Sequence, residues 1–165
     1  MLKKKWERKL PFFVAVFCCI WQLPKQKLNV GDIFLISDVI LNNEPLKLET
    51  LKIGKIIYIS ESFKKIIGFL VSQDNFEQVP NDVIDIEFSD TVLYTSNQLL
   101  LDGQWKVIGK QNVSPREEDL TLRLVSNRLY RLDDELEIVP TKDLKKYRKQ
   151  LIDGFVLIYQ KLNEN

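Results

Sequence analysis

Short apolar segments rich in Val, Ile, Phe and Tyr alternate with turn residues along most of the chain from Leu28 onward. Such segments, bounded by polar turns, are typical of β-strands. The pattern predicts strands over Ile33–Ile40, Ile53–Ile59, Ile66–Val71, Leu120–Val125 and Leu136–Val139. Gly54 lies inside the second strand, and a glycine there predicts either a bulge or the close approach of another group.

One pair of apolar segments carries a specific turn signal. Thr91–Leu101 and Gln104–Val113 are both typical of strands, and only Asp102-Gly103 lies between them. Because Asp-Gly favours the positive φ angles that a two-residue type I′ turn requires, the sequence predicts a β-hairpin here. Trp105 lies just after the turn, and we expect this large aromatic side chain to anchor the core.

Helical periodicity is confined to the C-terminal region. Apolar residues recur at three- and four-residue spacing over Lys142–Ile152, which predicts a helix that Thr141 caps and Asp153-Gly154 ends. The continuous apolar run Phe155–Tyr159 predicts a final buried strand. The expected fold class is therefore α+β, a mostly antiparallel β-sheet or partly open barrel with one C-terminal helix and an apolar N-terminal segment.

The first 26 residues differ from the rest, so we divide the chain into an N-terminal segment, residues 1–26, and a single domain, residues 27–165. Five Lys or Arg residues precede an apolar stretch over residues 10–21. A basic start and a short apolar core are typical of a secretory signal, but no small-residue cleavage site follows. The stretch is also shorter than the about 20 residues that cross a bilayer. Export, membrane association and packing on the domain or a partner stay as alternatives.

Composition excludes several kinds of chemistry. The 165 residues include no His, which excludes Ser-His-Asp catalysis, Cys-His catalysis and His-ligated metal sites. The two cysteines, Cys18 and Cys19, are adjacent, so we expect no disulfide framework and favour a cytoplasmic location. Glycine-rich phosphate loops and metalloprotease motifs are missing as well. We therefore assign no catalytic residue, no cofactor and no metal.

The net charge of +1 conceals blocks of opposite sign. Residues 1–30 carry seven basic side chains and one acidic side chain. Residues 31–141 carry 11 basic and 19 acidic side chains, and residues 142–165 carry six basic and three acidic side chains. The densest acidic stretch, residues 74–90, has no Lys or Arg and holds Asp74, Glu77, Asp82, Asp85, Glu87 and Asp90. A contiguous field of one sign steers an oppositely charged partner. The alternative is a solvated loop whose charges keep the protein soluble.

A metal-dependent hydrolase is the enzymatic alternative, with candidate ligands Asp82, Asp85, Glu87 and Asp143. Oxygen ligands suit Mg²⁺ and Ca²⁺, and Asp143-Leu144-Lys145 has the acidic-x-Lys spacing found in metal-dependent nucleases. Asp143 also lies in the first turn of the predicted helix, where the helix dipole favours an acidic side chain without any metal. The basic residues of 142–149 suit the solvated face of a helix, because no stacking or base-reading residues accompany them. We therefore expect no nucleic-acid partner.

Two segments resemble a known family. Lys27–Ile36 is a polar lead into Gly-Asp-Ile-Phe, and Leu99–Gly109 is a turn followed by Trp-x-Val-Ile-Gly. In this order, about 70 residues apart, they resemble the immunity protein 26 family of bacterial polymorphic-toxin systems. The resemblance covers about Lys27 to Val113.

The resemblance implies a small cytoplasmic protein that neutralises a cognate toxin by stoichiometric binding, for which catalytic residues are not needed. The six carboxylates of residues 74–90 are then the candidate toxin-binding residues, because a carboxylate-rich surface can mimic phosphates in the cationic cleft of a nuclease-type toxin. A membrane-associated accessory protein anchored by residues 10–21 is the alternative function.

Overall fold

The computed structural model describes residues 27–164. The strands in this range are β1 (Asp32–Ile36), β2 (Val39–Leu41), β3 (Glu44–Leu46), β4 (Lys52–Ile59), β5 (Ile66–Val71), β6 (Leu93–Ser96), β7 (Lys106–Lys110), β8 (Arg123–Val125), β9 (Arg128–Arg131) and β10 (Asp134–Ile138). The helices in it are α1 (Gln98–Leu101), α2 (Pro115–Asp119), a 3-10 helix (Thr141–Lys146) and α3 (Phe155–Asn163). Segment 1–26, with Cys18, Cys19 and the apolar stretch 10–21, lies outside the described residues.

The strands pair in antiparallel fashion in three sheets. The central sheet has the order β6-β5-β4-β1-β7, and the smaller sheets have the orders β10-β9-β8 and β2-β3. β4 and β5 are almost entirely buried, because the central sheet is covered on both faces. The predicted α+β class with mostly antiparallel sheet is confirmed, and the central sheet is open, with β6 and β7 as its edges.

The core on one face of the central sheet surrounds Trp105, which is fully buried. Its indole ring stacks on Phe34 at a centroid distance of 5.3 Å and meets Phe69 edge-on at 5.8 Å. α3 packs on the same cluster, where Trp105 Nε1 donates a 3.0 Å hydrogen bond to Tyr159 Oη. The prediction that Trp105 anchors the core is confirmed.

A second cluster covers the opposite face of the central sheet. Because side chains alternate between faces along a strand, Ile56 and Phe69 join the Trp105 cluster while Ile57 and Leu70 join the second one. A third cluster, under the β8–β10 sheet, consists of Leu124, Leu129 and Val139. Burial of both faces explains why β4 and β5 are continuous apolar runs in the sequence.

Gly54 of β4 lies directly opposite Phe34 of β1. A Cβ atom at this position would overlap the Phe34 ring, so the ring lies directly against the β4 backbone. The close approach offered as one explanation of Gly54 is confirmed. The register irregularity between β4 and β5 lies elsewhere, between Ile56 and Tyr58.

The β-hairpin predicted at Asp102-Gly103 is wrong. The segment Thr91–Leu101 contains β6 and α1, and β6 and β7 lie at opposite edges of the central sheet. Asp102 has a φ of −82° and ends α1, while Gly103 has a φ of +72°. The dipeptide therefore ends a helix. Because helix ends and type I′ turns both use glycine in the left-handed region, the local signal suits either structure.

The helix predicted over Lys142–Ile152 is also wrong. This region forms the 3-10 helix and then an extended segment that lies along β8. The amide of Leu124 donates to the Arg148 carbonyl at 2.8 Å, and the amide of Gln150 donates to the Leu124 carbonyl at 3.0 Å. Thr141 caps nothing, because its side chain makes no cap hydrogen bond and Pro140 precedes the 3-10 helix.

The strand predicted over Phe155–Tyr159 is instead the first part of α3. Ile158, Tyr159 and Leu162 are the buried residues of this helix, and Phe155 packs beside them. The apolar side chains thus continue to Leu162 with helical spacing, which places them on one face against Trp105. Asp153-Gly154 precedes a helix and does not end one.

The first predicted strand, Ile33–Ile40, is divided between β1 and β2. Ser37 and Asp38 interrupt it, because their side chains bind other parts of the chain. Ser37 Oγ donates to the Gln104 carbonyl at 3.3 Å, and Asp38 Oδ1 accepts from the Leu48 amide at 2.9 Å. The predictions over Ile53–Ile59 and Ile66–Val71 are confirmed by β4 and β5.

Candidate functional site

The acidic loop, residues 74–90, lies between β5 and β6, and both of its ends are fixed to the central sheet. Near its start, the backbones of Phe76 and Leu51 exchange two hydrogen bonds of 3.1 and 3.2 Å. Near its end, the Gln73 amide donates to the Glu87 carbonyl at 3.0 Å. These bonds give a segment without regular secondary structure a defined path across the surface.

The middle of the acidic loop is held by the chain that follows β7. Gln111 Nε2 donates hydrogen bonds to the carbonyls of Val83 and Ile84, the second of them at 2.9 Å. Val83 also packs against Gly109 of β7, where an added Cβ atom would lie 2.5 Å from Val83 Cγ2. The middle of the loop is therefore held by a glycine of β7 and by the amide side chain of the residue that follows this strand.

All six predicted toxin-binding carboxylates lie on the acidic loop and are exposed: Asp74, Glu77, Asp82, Asp85, Glu87 and Asp90. Asp90 pairs with Arg116 at 2.8 Å on the surface. The other five have no ion-pair partner among residues 27–164. Six negative charges are thus exposed on one loop, and Asp90 is the only one with an ion-pair partner among residues 27–164.

The four candidate ligands of the hydrolase alternative are not brought together as a metal site. Among residues 27–164, no three Asp, Glu, Cys or His side chains form a group that could hold a metal ion. Asp143 lies in the 3-10 helix and pairs with Lys146 at 2.6 Å. Asp82 Oδ1 accepts a 2.9 Å hydrogen bond from the Ile84 amide, which is a local turn contact.

The two segments that carry the family resemblance meet in the central sheet. β1 pairs with β7, and Phe34 of the first segment stacks on Trp105 of the second. Gly31 has a φ of +90°, its carbonyl accepts a 2.9 Å hydrogen bond from the Gln111 amide, and a Cβ atom here would overlap the Gln111 carbonyl. In this structure both segments build the sheet and position Gln111 beside the acidic loop.

A buried ion pair joins α2 to the central sheet next to the end of the acidic loop. The Lys55 side chain is 3% exposed, and its Nζ lies 2.6 Å from Glu117 Oε1 and 2.9 Å from the Asn112 carbonyl. The ring of Phe88, in the acidic loop, is centred 5.7 Å from the same Nζ. This contact links the loop, α2 and β4.

Glu117 also completes the N-terminal cap of α2. Its Oε2 accepts hydrogen bonds from the amide of Ser114 at 2.7 Å and from Ser114 Oγ at 2.9 Å, while the Glu117 amide donates to Ser114 Oγ. Burial acts to raise the pKa of Glu117, but the hydrogen bonds from Lys55 and Ser114 outweigh it, and the pKa lies below its ordinary value.

Sequence reasoning missed a buried arginine in β8. Arg123 is 5% exposed, and its guanidinium carbon lies 4.6 Å above the ring centre of Tyr58 and 5.5 Å from that of Tyr94. Arg123 Nη2 donates to Tyr58 Oη at 3.0 Å, and Tyr58 Oη donates to Asp133 Oδ1 at 2.7 Å. Burial raises the pKa of Tyr94 to about 12. Nothing in the local sequence distinguishes Arg123 from a solvated arginine.

This arginine borders a cavity of about 310 Å³ with an apolar rim. Phe63, Val125 and Ile152 line the cavity and are 68%, 41% and 56% exposed. The rim lies on the side of the domain formed by β8 and the turn before β5. It is a second surface, separate from the acidic loop.

Comparisons with known proteins identify no relative. No protein-family model matches the chain, and searches of curated proteins and of solved structures find no significant match. None of the helices between residues 27 and 164 is long and apolar enough to cross a membrane.

Proposed function

We propose that this protein neutralises a cognate bacterial toxin by binding it stoichiometrically through the acidic loop. It acts in the cytoplasm, covers a cationic surface of the toxin and carries out no chemistry itself. A nuclease-type toxin suits the loop best, because the cleft of a nuclease is built to bind phosphates and a row of carboxylates offers the same charge. The family resemblance of Lys27–Ile36 and Leu99–Gly109 supports the same proposal.

The arrangement of charge on the acidic loop is the observation that carries the proposal. Six carboxylates are exposed on one loop, and five of them lack an ion-pair partner in the described part of the chain. The loop path is set by backbone hydrogen bonds at its ends and by Gln111 at its middle. A pre-formed loop that carries charge of one sign accelerates association with a cationic partner and loses little entropy on binding.

Co-expression with the product of the gene immediately upstream tests the proposal as a whole. We expect that product to arrest growth alone, and we expect the full chain to restore growth and to co-purify with it. If none of the neighbouring gene products is toxic, the proposed function is wrong.

Charge removal tests the role of the acidic loop within that complex. The loop variant replaces Asp82, Asp85, Glu87 and Asp90 by Asn or Gln. The matched control replaces the exposed carboxylates Glu44, Glu49, Glu118 and Asp134 in the same way, so both variants change the net charge equally.

At low salt, we expect the loop variant to associate with the toxin at least about tenfold more slowly than the unaltered chain. The association rate of the control should change far less. The salt dependence of the association rate should also fall in the loop variant only, because fewer charge pairs remain to be screened. Equal rates and equal salt dependence in both variants would show that the acidic loop does not bind the toxin.

A further inference from the structure

A cavity of about 400 Å³ next to both ends of the acidic loop has the opposite charge. We call it the basic cavity. Among residues 27–164, its lining includes Lys52, Arg148 and Lys161 and no carboxylate. The three cations come from β4, from the extended segment after the 3-10 helix and from α3. Elements far apart in the sequence therefore converge to place positive charge around one concave site.

Lys52 is the group that most needs a partner. This residue is 4% exposed, and among residues 27–164 its ammonium has no hydrogen-bond acceptor and no ion-pair partner. The stem of Lys52 is buried, but its ammonium is not sealed from solvent, because the residue lines the basic cavity. A cation that faces a concave site without a protein partner is available to an anion. Because Lys52 lines the basic cavity, a bound anion is the group that its position can accommodate.

Other donors surround the same space. Arg148 is exposed at the edge of the cavity and offers a planar set of N–H groups that suits phosphate oxygens. Lys161 Nζ lies 2.6 Å from Asp153 Oδ2, so a carboxylate behind the cavity holds this cation in place and offsets part of the charge. The hydroxyl of Thr91 adds a neutral donor to the lining.

Part of the remaining wall is apolar. Val71, Leu93 and Leu162 also line the basic cavity. A concave site of this size, with apolar walls and a few convergent charged groups, is typical of small-molecule sites. The combination suits a ligand with a phosphate group at one end and an apolar or ring-shaped portion at the other.

We propose that the basic cavity binds a small phosphorylated molecule, with its phosphate held by Lys52 and Arg148. The proposal does not depend on toxin neutralisation, because the acidic loop and the basic cavity use different side chains. A bound anion would lie close to Gln73 and Ser89, which line the cavity where the acidic loop leaves and rejoins the sheet.

Pyrophosphate is the probe for this site, measured by calorimetric titration and by thermal unfolding of the full chain against NaCl of equal ionic strength. We expect saturable binding and a rise in Tm beyond that caused by NaCl. The variant Lys52→Met keeps the aliphatic stem and removes the charge, and it should weaken pyrophosphate binding about tenfold or more. The control Lys106→Met removes an exposed cation of β7 and should leave binding unchanged.

The unliganded variants separate a binding role from a structural one. If Lys52 is held ready for an anion, Lys52→Met without ligand should be as stable as the unaltered chain, because the substitution keeps the buried aliphatic stem and removes no hydrogen bond or ion pair within residues 27–164. Absence of saturable pyrophosphate binding, or equal weakening by Lys106→Met, would overturn the proposal. Tighter binding of a hexaglutamate peptide than of pyrophosphate would also overturn it, because the occupant would then be an acidic protein segment.

Discussion

Replacing Glu117 by Gln leaves the Lys55 ammonium buried without its carboxylate, and this should destabilise the domain. The Lys55 side chain is 3% exposed and that of Glu117 is 17% exposed, with 2.6 Å between Nζ and Oε1. Removing one partner of a buried pair costs about 3–5 kcal/mol. We expect about 2–3 kcal/mol here, because Glu117 is partly exposed and the Gln amide oxygen can still accept from Lys55.

Urea unfolding measures this loss as a change in the free energy of unfolding at constant m-value. The corresponding fall in Tm should be about 4–12 °C for a chain of this size. Glu118→Gln is the matched control, because Glu118 lies in the same first turn of α2 and is exposed. The control removes the same charge near the helix N-terminus, so any effect of the helix dipole is common to both variants.

The pH dependence gives a second test with a definite sign. The folded pKa of Glu117 lies below the reference value of 4.5. A lowered folded pKa contributes stability that is present above the unfolded pKa and is lost as the pH falls through the folded pKa. The difference between the unaltered chain and Glu117→Gln should therefore be constant near neutral pH and shrink below about pH 4.5.

Two results would refute this reasoning. If Glu117→Gln costs no more than Glu118→Gln, the buried pair does not stabilise the domain. If the double variant Lys55→Met, Glu117→Gln loses the full sum of the two single losses, the two side chains are not coupled.

Two further changes test the packing of the loop and of the core. Gly109→Ala places a Cβ atom 2.5 Å from Val83 Cγ2. Relief of that overlap should lower the free energy of unfolding by about 1–3 kcal/mol and speed amide hydrogen exchange in the middle of the acidic loop. Unchanged hydrogen exchange would contradict the contact. Trp105→Phe removes the 3.0 Å hydrogen bond to Tyr159 and opens space in a fully buried cluster. It should lower the free energy of unfolding by about 3 kcal/mol in urea, and a loss below about 1 kcal/mol would show that the core repacks.

Local composition was enough to identify the centre of the fold. β4 and β5 were predicted from runs of β-branched and aromatic residues. A strand that is buried on both faces is apolar at almost every position, and residues of these types favour strands. Trp105 was predicted as a core anchor because a large aromatic side chain gains more from burial than almost any other residue. The close approach at Gly54 was also predicted from the local sequence, because a glycine in a strand leaves room that a neighbouring ring can fill.

Some local sequence patterns are compatible with two kinds of secondary structure, and contacts with neighbouring elements determine which one forms. Asp102-Gly103 can end a helix or turn a hairpin, and the pairing of β6 with β5 and of β7 with β1 selects the helix end. The run that begins at Phe155 can form a strand or a helix, and packing against Trp105 selects the helix. The apolar residues of 142–152 have helical spacing, but the backbone of this segment forms hydrogen bonds with β8 instead.

The sequence by itself determined the acidic loop, the β-rich core and the α+β class, because charge density and apolar runs are properties of contiguous residues. Only the tertiary structure decided which cations are buried. Lys52, Lys55 and Arg123 look like ordinary solvated side chains in the sequence, yet all three are buried by elements distant along the chain. The partners of a buried charge are set by three-dimensional packing, and so the buried ion pair and the basic cavity become visible only in the folded protein.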